Sequence, residues 1–139
     1  MFRELTRKNK QLSMEECICV LQSETRGVLS VLGDDDYPYG MPMNHWYNEE
    51  DGAVYFHCGT MSGHRMDALK KHDKVSFCVY DRGYRKEGDW AWNIKSVIVF
   101  GRMEIIDIRF LSQEKSTRKA IQSKWSFIMS ATISGLPSR

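Results

Sequence analysis

Apolar residues near the start of the chain keep a helical spacing and then abandon it. Met14, Cys17, Ile18 and Leu21 recur on one helix face. Ser13 stands before them as N-cap, Glu16 completes a capping box, and Leu12 can staple onto Cys17. From Gly27 the pattern shifts to strands. Val28–Leu32 is one, closed by the turn-rich Gly33–Pro38. Tyr39–Tyr47 is the second, joined through Asn48–Gly52 to a third at Ala53–Cys58. A short helix over His64–Lys71 shows the apolar pair Met66 and Leu69. Val75–Tyr80 is a fourth strand and Ser96–Ile106 the longest, with Gly101 marking a bulge or bend. Ser112–Lys124 reads as a charged helix, and the tail from Trp125 gives no clear signal.

Two successive hairpins imply an antiparallel meander. At least five strands with helices at the ends predict a mainly β fold, a small closed or nearly closed barrel. Closure would also remove the bare edges of an open five-stranded sheet. Pro42 falls inside the second strand. Proline cannot donate to a ladder, so the sheet there must be interrupted, bulged or at an edge. Such a gap leaves backbone groups for a ligand, and an ordinary edge strand explains it equally well. Residues 81–93 form a long polar loop carrying Trp90 and Trp92, suited to covering a site or packing on a partner.

The chain of 139 residues fits one domain over 1–139, with a loose basic arm at 1–11 and an uncertain tail at 126–139. No repeat or linker divides it. With 42% apolar residues and no long uncharged run, no membrane span is expected. The first ten residues lack a secretion signal, and four cysteines in no framework spacing suggest reduced thiols in the cytoplasm. A net charge of +2, with scattered Lys and Arg, argues against nucleic acid.

The chemistry concentrates in Tyr55–Asp67. A strand end, a small-residue loop and a helix start succeed one another, with Ser62 or Gly63 as cap. The positive end of a helix dipole favours acids, yet His64 and Arg65 occupy this first turn. Free N–H groups, a hydroxyl and cations converging on one point describe an anion receptor, most simply for phosphate. A solvated basic helix start explains the same residues. A zinc site from His57, Cys58 and His64 fails because adjacent strand residues face opposite ways. Cys58 and Cys78 lack a recognisable His partner for nucleophilic catalysis. No residue must act as a general acid; His45 and His57 are the candidates, although a lone histidine on a strand is more often structural.

Six blocks occur in order: Gly27–Ser30, Tyr37–Asn44, Ala53–Cys58, Gly63–Arg65, Lys74–Phe77 and Lys95–Gly101. Together they resemble the pyridoxamine 5′-phosphate oxidase-like superfamily, and within it the nitroimidazole-resistance reductases. The resemblance spans about residues 12–125. It implies an FMN-binding split β-barrel, working as a homodimer with two flavins at the interface.

Transferred to this chain, the resemblance lines the isoalloxazine ring with the backbone of Met41, Pro42, Met43 and Asn44. Phe56, His57 and Cys58 would pass the ribityl chain. Ser62, Gly63, His64 and Arg65 would hold the phosphate, and Ser96 and Val97 would touch the flavin or its phosphate. The activity implied is an FMN-dependent oxidoreductase acting on a small planar or nitroaromatic substrate. Alternatives are a flavin-binding module without turnover, or the same barrel with haem or a deazaflavin. Two departures stand out. The second phosphate cation is a histidine, charged only when protonated. The segment Phe127–Gly135 is also a short substitute for the strand that usually completes the barrel wall.

Overall fold

The computed structural model describes residues 3–59, 62–107 and 127–132, the last strand and Asp107 by backbone alone. Helix α1, Met14–Ser23, begins as its sequence demands. Ser13 Oγ accepts the Glu16 N–H at 3.2 Å, and Glu16 Oε2 accepts the Ser13 N–H at 3.0 Å. That pair satisfies two donors a helix start leaves bare. Leu12, Cys17 and Ile18 then press on the core around buried Val20 and Leu21.

Six strands follow: β1 Arg26–Leu32, β2 Pro38–Asn48, β3 Ala53–His57, β4 Lys74–Tyr80, β5 Ser96–Asp107 and β6 Phe127–Thr132. Helix α2, His64–Lys71, sits between β3 and β4. All neighbours are antiparallel, and the barrel closes in the order β1-β2-β3-β6-β5-β4. The expected meander holds for β1–β3 and again for β4–β6. It fails between them, because β6 enters beside β3 and β4 returns to β1. The short segment Phe127–Thr132 therefore does complete the wall, pairing β3 on one side and β5 on the other. The helix expected at Ser112–Lys124 lies outside the described residues.

Two long strands each serve two neighbours. β2 pairs with β1 up to Asn44 and with β3 only from His45. β5 pairs with β4 up to Arg102 and with β6 from Met103, so Gly101 lies just before the handover. Pro42 keeps its place in the β1 register, opposite Val28. Of the three expectations for Pro42, the edge applies: residues 38–44 pair with β1 on one side, and the β3 ladder starts beyond them.

The interior is packed with Leu29, Val54, Phe56, Met66, Phe77 and Val79, all fully buried. Phe56 and Phe77 meet edge to face at 4.8 Å, the arrangement aromatic quadrupoles favour. Gly27 is required by this packing. A Cβ there would stand 2.6 Å from both the Cys78 carbonyl oxygen and Phe77 Cζ.

Candidate functional site

Along β2 the side chains alternate, so Met43 points into the barrel while Pro42 and Asn44 point out. The backbone alternates as well. The His45 N–H donates to the Thr25 carbonyl at 3.1 Å, which turns the polar groups of His45, Met43 and Met41 toward β1. Those of Pro42 and Gly40 therefore face the side where β3 is absent, and those of Asn44 face the point where its ladder begins. Pro42 offers only a carbonyl there and Gly40 an N–H and a carbonyl, while Asn44 stands where the β3 ladder begins, one residue before His45 pairs with Phe56. A donor-acceptor edge of this kind suits the rim of a flat polar heterocycle. On the outer face Asn44 is steadied by Arg26, whose Nε donates to its Oδ1 at 3.0 Å.

Arg65 lies on the inner side of this edge. Its Nη1 reaches Met43 Sδ at 3.0 Å and its Nη2 reaches Cys58 Sγ at 3.5 Å. Its Nε is buried without a partner, and among the described residues it forms no ion pair. Sulfur is a weak acceptor. A half-buried guanidinium held only by sulfurs has its strong donors unanswered, which is costly unless an anion arrives. Gly63 caps α2 at φ 100°, with no side chain bonded to the cap. Of the two residues expected to cap, it is thus the glycine. Among the described residues, a Cβ on Gly59 or Gly63 would meet nothing within 4 Å.

His64 faces elsewhere. Its ring stacks on Tyr39, with centroids 4.3 Å apart and planes 24° from parallel. Its Nε2 accepts the Asp34 N–H at 3.1 Å. The Asp34 carboxylate is 3.8 Å from the same nitrogen. The Asp34 N–H is the nearer of the two partners.

The remaining candidates divide by face. Phe56 and Cys58 are fully buried, Val97 is buried opposite Val79, and His57 is exposed at the end of β3. Ser62 precedes the cap and is exposed. Ser96 begins β5 across from Tyr80. Tyr80 and Pro42 are two walls of an outward cleft of about 250 Å³, shared with Glu24, Arg26, Asp81 and Arg82. The cleft lies on the opposite face of β2 from Arg65. Its charged walls and the Asp34–Tyr39 contacts of His64 escape sequence reasoning, because partners so far apart in the chain leave no local spacing to read. His45 has a structural place. Its Nε2 donates to the Leu21 carbonyl at 2.9 Å, Nδ1 is buried without a partner, and burial pushes its pKa down.

This barrel and its motifs define a known class. The sequence profile described as pyridoxamine 5′-phosphate oxidase matches residues 13–132, and the chain belongs to that family. Among solved structures it resembles a FAD-binding protein from Mesorhizobium loti, at 26% identity and TM-score 0.67, over 88% of this chain and 89% of that one. It also resembles a putative 5-nitroimidazole antibiotic resistance protein from Bacteroides thetaiotaomicron, at 13% identity and TM-score 0.67, over 89% and 81%. A FAD-binding protein from Mycobacterium smegmatis aligns at 18% identity and TM-score 0.64, over 88% and 90%. A search of curated proteins returned no match. Among the described residues no helix is long and apolar enough to cross a membrane.

Proposed function

We propose that the protein binds FMN and serves as an oxidoreductase for small planar, electron-poor substrates such as nitroaromatics. One observation carries the reading: the half-buried Arg65 guanidinium, with an orphaned Nε and only sulfur partners, beside a β2 edge whose backbone groups are free of β3. The residues fit a phosphate-bearing heterocycle. Arg65 and the N-terminus of α2 would hold the phosphate. The Pro42 carbonyl and the Asn44 N–H would orient the ring. The chemistry supplied by such a group is transfer of an electron pair, and the protein's share is binding, orientation and exclusion of water. The flavin-binding neighbours and the nitroimidazole-resistance protein support the reading by likeness.

A homodimer accompanies it. Tyr80 of β4, Ile98 and Phe100 of β5, and Trp92 and Ile94 just before β5 are exposed apolar side chains that a second copy would cover. No disulfide joins the described cysteines, which suits a reducing cytoplasm.

The ligand is tested first, by the mass and spectrum of what copurifies: FMN supports the reading, while FAD, haem or a deazaflavin replaces it. Turnover is tested by mixing photoreduced, FMN-loaded protein with a nitroimidazole without oxygen. Return of the oxidised absorbance supports a reductase. A flavin that stays reduced, while free reduced FMN reacts, leaves a binding module without turnover. Sedimentation of a flavin-loaded monomer at micromolar concentration would remove the dimer.

A further inference from the structure

His64 stands next to Arg65 in the first turn of α2, yet its ring is committed to a different part of the fold. Its ring stacks on Tyr39, with centroids 4.3 Å apart. The backbone of Gly33 lies close to the same contact: a Cβ added there would come within 2.9 Å of His64 Nε2, 3.0 Å of the Tyr37 carbonyl oxygen and 3.1 Å of the Tyr39 Cβ. Nε2 takes the Asp34 N–H at 3.1 Å. The turn it grips is itself closed by the Gly33 N–H to the Tyr37 carbonyl at 2.8 Å and the Tyr37 N–H to the Asp34 carbonyl at 3.1 Å. That turn also holds two residues in the left-handed region, Asp35 at φ 53° and Asp36 at φ 60°. Such conformations persist only where neighbouring structure supports them.

We propose that His64 is a positioning residue, a latch that fastens the Gly33–Tyr37 turn to the first turn of α2 and so fixes where Arg65 is presented. The latch works through a defined tautomer. An Nε2 that accepts an amide N–H carries no proton, so the neutral ring must hold its proton on Nδ1. Protonating Nε2 would set two donors against each other. The charged groups around the ring are the Asp34 carboxylate, 3.8 Å from Nε2, and Lys71, whose Nζ is 3.7 Å from that same carboxylate. Lys71 already draws on Asp34, and Tyr39 adds only its ring face. The tether is therefore the amide of Asp34, and its carboxylate is secondary. The latch stands without any ligand, and only its effect on affinity rests on the FMN reading above.

The first test uses the ligand-free protein. Long-range proton–nitrogen NMR at pH 8 should show His64 in the Nδ1–H tautomer, the minor form of a free histidine. An Nε2–H tautomer would overturn the proposal whatever the protein binds. The second test compares variants. Gln places an acceptor where Nε2 stands and cannot take up a proton. His64→Gln should thus keep the melting temperature and FMN affinity of the parent within about twofold in Kd. His64→Ala should lower both, and Asp34→Ala, which keeps the amide, should leave both near the parent. A His64→Gln variant as impaired as His64→Ala would mean that the imidazole itself contacts the anion, which overturns the latch. If no variant binds FMN because the parent does not, the melting temperatures and the tautomer still decide.

Discussion

Replacing Arg65 by Met should move two measured quantities in opposite directions. In the ligand-free protein the guanidinium is a burden. Its Nε is buried without a partner, and its ends rest on Met43 Sδ and Cys58 Sγ. An unsatisfied buried donor costs roughly 1–3 kcal/mol. Methionine has similar reach, packs well against sulfur and leaves no donor stranded. The apo variant should therefore unfold at a denaturant midpoint equal to or above that of the parent. FMN binding should suffer. Losing a charge-assisted contact to phosphate removes about 1.5–3 kcal/mol, or about 10- to 150-fold in Kd. Riboflavin, which lacks the phosphate, serves as the control. Titrations followed by flavin fluorescence would give both constants, and riboflavin affinity should be the same in parent and variant. An unchanged FMN affinity refutes the phosphate assignment. A clearly destabilised apo variant would show instead that the guanidinium is satisfied without an anion.

Three further outcomes follow from the packing. Because burial lowers the pKa of His45, the unfolded chain binds more protons than the folded one below about pH 6.5, so stability should fall as the pH drops through that value. His45→Gln keeps a donor for the Leu21 carbonyl and cannot protonate. Urea midpoints at pH 8 and pH 5.5 should differ less for it than for the parent. Gly27→Ala drives a methyl against the Cys78 carbonyl and Phe77 and should cost about 1–3 kcal/mol, whereas Gly40→Ala, with contacts of 3.3 Å and 3.4 Å to side-chain atoms, should cost far less. Equal losses in the two would refute the close approach. Ser13→Ala should lower unfolding free energy by about 1 kcal/mol through the broken capping box, and a change below a few tenths would argue that α1 is held by packing alone.

What the chain disclosed beforehand was mostly local. Capping signals place α1, and the apolar spacing places α2 at His64–Lys71. Alternation places five strands to within two residues of their observed ends, and Pro42 signals an interruption, a bulge or an edge, of which the edge is observed. Non-local pairing was out of reach. Nothing in Phe127–Thr132 announces that it lies between β3 and β5, because six residues of mixed character carry no strong period. Arg65 was legible as a cation in the wrong place on a helix dipole. His64 was legible as a basic residue in that same turn, but its attachment to Asp34 and Tyr39 depends on how β1 and β2 fold back. The Met43 and Cys58 sulfurs around Arg65 come together only once β2, β3 and α2 are in place.

The order of the wall also bears on how the chain comes to be folded as it is synthesised. β3 finds its outer neighbour only in β6, more than 70 positions later. While a ribosome is still making that stretch, β1 to β5 can assemble, but β3 and the far half of β5 wait with a bare row of amides and carbonyls each. Bare rows of this kind recruit strands from other chains. The final strand thus acts as a plug that must arrive before a neighbouring nascent chain does. Supplying Phe127–Thr132 in trans as a peptide should rescue a chain halted at residue 126.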